Sequence, residues 1–512
     1  MTAPAAAPVL LDDAQMQRFI AHGYLLLKTQ LPESFHQDIY ARFDKLIGAE
    51  AKANPGNNLL PAVPELNQVF ADPVVRGALT SVVGPDYVMH PHRALHNNPP
   101  GSDAQRFHKD SYWGYLRRVR NHRARWVMIM YVPQATPLPR GPTGVIPGSQ
   151  YQMQRPDEAI MPEVAGCLEA GGFLLIHYDI WHRKMKNFTD DKRFMMKFEF
   201  IRMQAPEAPS WNHTDPAWRL ADLPGIDLSP VWRRQWDWLR AAAPGPWTAA
   251  SAAGAGLADP DPRNRLRAIN AIAADPGSVR AHLPELAAAL HDGFEPVAVD
   301  AAYALANAGA DALPALLDVL RQDHGEDPDG NQSSHDGTLP DPGRPARSAA
   351  YGLVEIGRPA VPALLTLLAQ GGPHVRKLAA FALGEIPGSS PEIVAALCHA
   401  ATDGAAPVRI NAVEALGLKP ATSASVAALC AAIRDGDPQV RFSAALALAQ
   451  IGPAARDAVP ALQDALADEN RYVPGYAVEA LERIATPEAM KALMPYLKTA
   501  RWCAQTSPSS IY

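Results

Sequence analysis

The chain has 512 residues, which is too many for a single hydrophobic core and predicts two to four domains. Its composition, 47% apolar and 20% charged, is typical of a water-soluble globular protein, and the mild net charge of -6 implies no general attraction to nucleic acid. Four widely separated cysteines, none at CxxC spacing, argue against a disulfide framework or a zinc site, and no apolar run reaches membrane-spanning length. These features together predict a cytoplasmic protein with reduced thiols.

The first half of the chain has the pattern of short helices followed by short strands. The segment DDAQMQRFIAHGYLLLK predicts an amphipathic helix that runs into a strand at Tyr24–Lys28, and a second helix is expected around 33–50. Short apolar runs bounded by Pro and Gly follow, at 126–132, 144–147, 173–177 and 193–201. Short strands with frequent turn signals favour a β-sandwich or barrel over a parallel sheet.

A candidate metal site lies among these strands. The motif FHKD places His108 and Asp110 two residues apart, so that in an extended segment both side chains point to the same face. The best third ligand is His182 in DIWHRKMKN, directly after an apolar strand. Two histidines and one carboxylate form the facial triad of non-haem Fe(II) oxygenases, which leaves three positions for a bidentate co-substrate and dioxygen.

The surroundings of this motif add specificity. Arg193 lies eleven residues beyond His182, at the start of the alternating strand RFMMKFEFI. A turn through 187–191 would bring that strand back beside His182, where a guanidinium can pair with a carboxylate such as the distal end of 2-oxoglutarate.

Other histidines provide alternatives. A second HxD at His177 and Asp179 would have His213 as its only later partner in this half, and position 224, eleven residues beyond, is proline rather than arginine. Three further histidines precede the first HxD and are expected to be substrate-side or surface groups: His90, His92 and His96.

An arginine-rich run, RRVRNHRAR, places five arginines within 117–125. It is either a solvated loop or an anion clamp for a phosphate or carboxylate of the substrate. The aromatic residues Tyr112, Trp113 and Tyr115 either line the same pocket or belong to the core.

Together these motifs resemble the phytanoyl-CoA dioxygenase family of 2-oxoglutarate oxygenases over roughly residues 15–245. The matching segments are His22-Gly23-Tyr24, Pro99-Pro100-Gly101, the HxD, GPTGVIPGSQ (141–150), Trp181-His182-Arg183 with Asn187 and Arg193, and VWRRQWDWL (231–239). Three positions depart from the family pattern: Lys109, Gln150 and Lys184.

The resemblance implies a double-stranded β-helix (jelly-roll) with Fe(II) bound by His108, Asp110 and His182. It implies 2-oxoglutarate and O2 as co-substrates, with Arg193 pairing with the distal carboxylate and Trp126 as a wall of the co-substrate site. The implied activity is oxidation of a C–H bond with release of succinate and CO2. Because Asp110 is a carboxylate, no ligand position is left for chloride, and hydroxylation is preferred to halogenation.

The second half is an internal repeat. Equivalent valines at 375, 408, 440 and 473 are separated by 33, 32 and 33 residues, and weaker copies begin at Asn264, Val297 and near Ala346. Apolar residues at i, i+3, i+4, i+7 and i+8 from Val375 predict an amphipathic helix, and a second short helix often opens with proline. The pattern resembles short HEAT-like repeats stacked into an α-solenoid, about seven of them.

The predicted organisation is a dioxygenase domain at 1–245, a linker at 246–257, a solenoid at 258–498 and a tail at 499–512. The small-residue linker predicts a flexible join between separable halves. The segment 323–345 interrupts one repeat; Asp327, Asp329 and Asn331 suggest a calcium loop, but a solvated insertion is preferred because no glutamate closes it.

The expected partners are a small-molecule or carrier-bound substrate, anionic if the arginine run is an anion clamp, and a protein on the solenoid, with neither nucleic acid nor membrane. The solenoid would recruit substrate or partner, since stacked repeats present a long surface. The alternative function is a HEAT-repeat interaction scaffold with a vestigial oxygenase domain.

Overall fold

A computed structural model of the chain describes residues 6–48, 55–110, 117–220, 222–245, 256–322 and 343–499. Several expectations fall outside these ranges: those for Tyr112, Trp113 and Tyr115, for the calcium-like positions of the insertion, and for most of the linker and tail. Within these ranges, no helix has both the length and the apolar character needed to span a bilayer.

The N-terminal half contains eight strands and six helices within the described residues. The helices are α1 (Asp13–His22), α2 (Glu33–Ile47), α3 (Leu59–Ala62), α4 (Asn67–Ala71), α5 (Pro73–Val83) and α6 (Ser229–Leu239). The strands are β1 (Tyr24–Lys28), β2 (Tyr87–Asn98), β3 (Trp126–Tyr131), β4 (Thr143–Val145), β5 (Val164–Gly166), β6 (Gly172–His177), β7 (His182–Lys184) and β8 (Arg193–Arg202).

These strands form two antiparallel sheets. The larger sheet has the order β1-β6-β3-β8-β2, and the smaller has the order β5-β4-β7. An isolated antiparallel bridge between His108 and His182 adds the HxD segment to the outer side of β7. Two antiparallel sheets in this arrangement are consistent with the predicted jelly-roll and confirm the predicted fold class for this half.

The start of the domain shows why the chain turns sharply between α1 and β1. Asp12 and Gln15 form a capping box at the beginning of α1, and the helix ends at Gly23, whose φ of 77° lies in the left-handed region. A Cβ on Gly23 would lie 2.5 Å from Gln150 Oε1, and Gln150 Nε2 donates to the carbonyl of Ile20 at 2.9 Å. Gln150 therefore secures the end of α1.

The C-terminal half is a helical repeat region, as predicted. Seven helices of the described residues open the successive repeats, at the predicted positions: α7 (Pro262–Ala273), α10 (Glu295–Ala306), α12 (Arg344–Ile356), α14 (Pro373–Glu385), α16 (Ala406–Gly417), α18 (Pro438–Ile451) and α20 (Tyr472–Ile484). The intervening and final helices are α8 (Pro276–Ala281), α9 (Leu283–Ala289), α11 (Leu313–Arg321), α13 (Val361–Gln370), α15 (Pro391–Ala400), α17 (Ser423–Ala432), α19 (Val459–Ala465) and α21 (Pro487–Thr499).

A ladder of ion pairs links successive repeats. Arg376 Nε lies 2.7 Å from Asp403 Oδ2, and Asp403 Oδ1 accepts the backbone N–H of Ala405 at the start of the next repeat. Equivalent pairs are Arg265–Asp292, Arg409–Asp435 and Arg441–Asp468. Each aspartate therefore orders the turn before its own helix and binds the preceding repeat.

The arginine run at 117–125 lies in a buried interface between the two halves, so neither sequence-based interpretation of it holds. Its ion pairs with the solenoid are Arg117–Asp437 (2.6 Å), Arg118–Glu414, Arg123–Glu355 (3.2 Å), Arg123–Glu385 (2.8 Å) and Arg125–Glu385 (2.9 Å). Arg120 pairs with Asp179 inside the N-terminal half. The run is neither solvated nor an anion clamp, because carboxylates of the chain itself bind all five guanidinium groups.

Further contacts extend this interface. Arg483 of α20 binds Asp86 at 2.7 Å, and the Tyr472 hydroxyl lies 3.1 Å from His92 Nδ1. The Tyr351 hydroxyl donates to the carbonyl of Arg120 at 2.7 Å. The expected flexible join therefore does not leave the halves independent: one face of the solenoid is occupied by the jelly-roll.

Candidate metal centre

His108, Asp110 and His182 come together as the sequence predicted. Each residue offers one ligand atom, and the three atoms lie within 4.8 Å of one another. Nε2 of His108 is 3.9 Å from Asp110 Oδ1, and Nε2 of His182 is 3.9 Å from Asp110 Oδ2. This is the only such cluster of histidine, cysteine and carboxylate groups in the described part of the chain.

Backbone pairing fixes the two histidines relative to each other. His108 N–H donates to the carbonyl of His182 at 3.0 Å, and His182 N–H donates back to His108 at 3.1 Å. Each Nδ1 lies close to a carbonyl, that of Arg106 at 3.0 Å for His108 and that of Ile180 at 3.1 Å for His182. Because a carbonyl only accepts, Nδ1 carries the proton in each neutral ring, and each Nε2 keeps a lone pair for a metal.

Asp110 is held as an ionised carboxylate, the form that can bind a metal. Its Oδ2 accepts a hydrogen bond from Lys197 Nζ at 2.7 Å, whereas its buried Oδ1 has no hydrogen-bond partner among the described residues. Burial alone would raise the pKa of this carboxyl, but Lys197 and the two histidines hold the pKa well below its usual range. Burial also lowers the pKa of His182 to about 4, which keeps that imidazole neutral at pH 7.

Arg193 begins β8 and lines the same pocket as the three residues above. Its Nη2 donates to Thr143 Oγ1 at 3.0 Å, while Nε and Nη1 are buried without hydrogen-bond partners in the described ranges. Burial lowers the pKa of this guanidinium to about 10, so it stays charged at pH 7. Two unpaired donors on a buried cation fit a carboxylate that binds in a bidentate manner.

The remaining pocket lining shows what the sequence analysis missed. Lys197 pairs with Asp110, a contact that the sequence did not predict. It lies four residues after Arg193 on β8, so the period-two alternation of that strand could have placed it on the same face. The other lining residues are His96, Gln105, Met130, Thr143, Arg183, Lys184 and Met195.

The alternative HxD does not form a metal site. Asp179 pairs with Arg120, and His177 Nδ1 accepts the backbone N–H of Asp179 at 3.1 Å. His213, its only candidate partner, lies 2.7 Å from Asp13. These residues therefore serve the packing of the domain.

Trp126 is not where the family resemblance implied. It lies 5.2 Å from the ring of His90 and 5.5 Å from that of Tyr178, and the guanidinium of Arg118 stacks over it at 5.3 Å. The pocket around the triad is lined by Met130 of the same strand, not by Trp126, which borders a cavity shared with the solenoid. The expectation for Trp126 is therefore corrected.

The three departures from the family pattern have different roles. Lys184 lines the metal-site pocket. Lys109 points away from it and donates to the carbonyls of Ser149, at 3.2 Å, and Asp179. Gln150 binds the end of α1, as described above, so only Lys184 can contact a bound molecule.

The donor set of the pocket fits a divalent first-row metal. Two imidazole nitrogens and one free carboxylate oxygen face a common point, and such a mixed nitrogen and oxygen set suits iron better than calcium or magnesium. The unpaired donors of Arg193 then mark where a carboxylate of a second ligand would lie.

Comparison with known protein families agrees with the predicted fold of both halves of the chain. Residues 19–195 match the phytanoyl-CoA dioxygenase (PhyH) family, and residues 341–417, 394–473 and 426–504 match HEAT repeats. The chain thus has a segment that matches the PhyH family model, followed by a region that matches HEAT repeats. No curated protein matched the sequence.

Several solved structures overlap the N-terminal half. The non-haem alpha-ketoglutarate-dependent carbocyclase SnoK from nogalamycin biosynthesis is 15% identical, with 40% of this chain and 90% of that chain covered and a TM-score of 0.33. EctD from S. alaskensis, in its apoform, is 17% identical, with 44% and 92% covered and a TM-score of 0.32. CytC3 with Fe(II) and alpha-ketoglutarate is 12% identical, with 38% and 79% covered and a TM-score of 0.30.

Proposed function

We propose that the N-terminal domain is a non-haem Fe(II)- and 2-oxoglutarate-dependent oxygenase. In this proposal His108, Asp110 and His182 hold the iron, and Arg193 pairs with the distal carboxylate of 2-oxoglutarate. The substrate is a small organic molecule, and the reaction class is hydroxylation of a C–H bond with release of succinate and CO2. Asp110 supports hydroxylation over halogenation, because its carboxylate fills the position that a chloride would need.

The observation that carries this proposal is that Nε and Nη1 of Arg193 have no hydrogen-bond partner among the described residues, in the pocket that also contains the three candidate ligands. Leaving two buried donors of a cation without partners costs about 1–3 kcal/mol or more, and a bound carboxylate would remove that cost. The free Oδ1 of Asp110 supports the proposal in the same way from the metal side. A vestigial domain would have no use for these unpaired groups, so the scaffold alternative is disfavoured.

Iron with 2-oxoglutarate and O2 would supply the oxidising power when bound, and the residues of the chain supply position and charge. The backbone pair between His108 and His182 fixes the two imidazoles, and Lys197 holds one oxygen of Asp110 so that the other faces the metal. Met130 and Met195 give the pocket apolar walls that exclude water from a reactive centre. Such pre-positioning lowers the cost of reaching the reactive geometry.

The proposal keeps the predicted limits of the two domains, with a linker at 246–257. It changes the role assigned to the repeats. The sequence suggested recruitment of a macromolecule to the solenoid surface. The buried ion pairs of the arginine run favour a structural role instead, in which the solenoid supports the jelly-roll from the face it covers.

The test uses the full-length protein under anaerobic conditions. Adding Fe(II) and then 2-oxoglutarate should produce the visible charge-transfer band of chelated 2-oxoglutarate, and adding air should release succinate. His182→Ala should lose both the band and succinate release, whereas His213→Ala, a histidine away from the pocket, should keep both. Absence of the band in the wild-type protein, or its persistence in His182→Ala, would refute the assignment.

A further inference from the structure

The inner face of β8 leads from the co-substrate side of the pocket towards the solenoid. Alternation along the strand places Arg193, Lys197 and Glu199 on one face in that order. Arg193 contacts Thr143, and Lys197 Nζ lies 2.7 Å from Asp110 Oδ2 and 3.8 Å from Glu199 Oε1. Glu199 is therefore one side chain away from the metal centre, on the side opposite Arg193.

At Glu199 the wall of the barrel is completed by the second domain. Nδ1 of His90 lies 3.4 Å from Glu199 Oε2, and the His90 ring packs at 5.4 Å from Tyr472 and 5.3 Å from Tyr476. Both tyrosines belong to α20 of the solenoid. The region beyond Lys197 is thus built from both halves of the chain.

Two groups in this region have buried polar atoms without hydrogen bonds. Neither carboxylate oxygen of Glu199 nor the hydroxyl of Tyr476 has a hydrogen-bond partner within the described ranges, although Glu199 is 0% exposed and Tyr476 is 1% exposed. Leaving a buried polar group without a hydrogen bond costs about 1–3 kcal/mol. Their positions, an acceptor next to aromatic rings, suit a ligand that has a hydrogen-bond donor on an apolar body.

We propose that Glu199 and Tyr476 form the substrate-binding side of the metal centre, a composite site of jelly-roll and solenoid. The site takes a small molecule with an ammonium or hydroxyl group directed at Glu199 and an apolar or aromatic body against the tyrosines of α20. This inference rests on the proposed function, because it takes the side of Arg193 as the place of 2-oxoglutarate. It also replaces the anionic substrate suggested by the arginine run, since those arginines are bound to carboxylates of the chain itself.

Three probes that share a phenyl ring distinguish a cationic, a neutral and an anionic ligand: benzylamine, benzyl alcohol and benzoate. Each is titrated into the full-length protein loaded with Fe(II) and 2-oxoglutarate in the absence of oxygen, and the shift of the charge-transfer band is recorded. Benzylamine or benzyl alcohol should shift the band, and benzoate should not. Glu199→Gln should weaken benzylamine binding by about tenfold or more, the effect of losing a charge-assisted hydrogen bond.

Tyr476→Phe should weaken the binding of the same probe several-fold, and Tyr303→Phe should leave it unchanged. Tyr303 is the matched control, a buried tyrosine of α10 whose hydroxyl accepts a hydrogen bond from Gln235 and lies 3.1 Å from His122 Nδ1. The inference is overturned if no probe shifts the band, if benzoate binds as well as benzylamine, or if Glu199→Gln and Tyr476→Phe bind benzylamine as the wild type does. Failure of the band to form at all is a different result, which refutes the proposed function instead.

Discussion

Glu385 of α14 offers the sharpest test of how the two halves are held together. Its carboxylate lies 2.8 Å from Arg123 Nη1 and 2.9 Å from Arg125 Nε, and its side chain is 3% exposed. Burial would raise the pKa of this carboxyl, but Arg125 and Arg123 lower the pKa to about 2 from the ordinary 4.5. A fall of that size corresponds to about 3 kcal/mol of stability for the ionised form.

Glu385→Gln should therefore lower the free energy of unfolding of the full-length protein by about 3 kcal/mol at pH 7. The same order follows from the about 3–5 kcal/mol that breaking a buried ion pair costs. The folded-state pKa is depressed, so this stabilisation is fully present above pH 4.5 and is lost as the pH falls towards 2. The difference between wild type and variant should shrink over that range.

Urea unfolding followed by two signals measures this effect. Tryptophan fluorescence reports on the N-terminal half, because all ten tryptophans except Trp247 and Trp502 lie within it. Far-UV circular dichroism reports mainly on the helical solenoid. The control is Asp464→Asn, which breaks an exposed pair with Arg434 and should cost less than about 1 kcal/mol. A loss below about 1 kcal/mol in Glu385→Gln, or separate wild-type transitions for the two signals, would refute the idea of a joint cooperative unit.

Three other outcomes are expected. Arg193→Ala should raise the 2-oxoglutarate concentration required for half-maximal turnover by about 30-fold or more, for a loss of about 2–4 kcal/mol, and an unchanged requirement would place the carboxylate anchor elsewhere. A protein that ends near Leu239 should aggregate or lose its near-UV circular dichroism, because the arginine run would lose its partners; a soluble, metal-binding product would contradict the interface. Arg409→Ala should lower the melting temperature more than Arg434→Ala, since the Arg409 pair is the more buried one, and equal shifts would show that the inter-repeat ladder adds nothing.

The sequence determined the elements and the candidate metal ligands because both depend on local pattern. Alternation predicted the strand at 193–201, and the observed strand β8 spans Arg193–Arg202. The spacing of valines predicted where the repeats begin, and Val408 is buried in α16 as that pattern requires. A two-residue spacing in extended backbone was enough to place His108 and Asp110 on one side of the chain.

Only the tertiary structure decided which charges meet. Arg123 and its partner Glu385 are separated by 262 residues, so no local pattern connects them, and a run of arginines has the same appearance whether water, a ligand or the chain itself neutralises it. Trp126 shows the same limit: position on a strand fixes the face of a side chain, but not which neighbours lie along that face. The composite wall of Glu199, His90 and α20 likewise required the solenoid to fold back onto the barrel, because non-local contacts are set by the packing of whole domains.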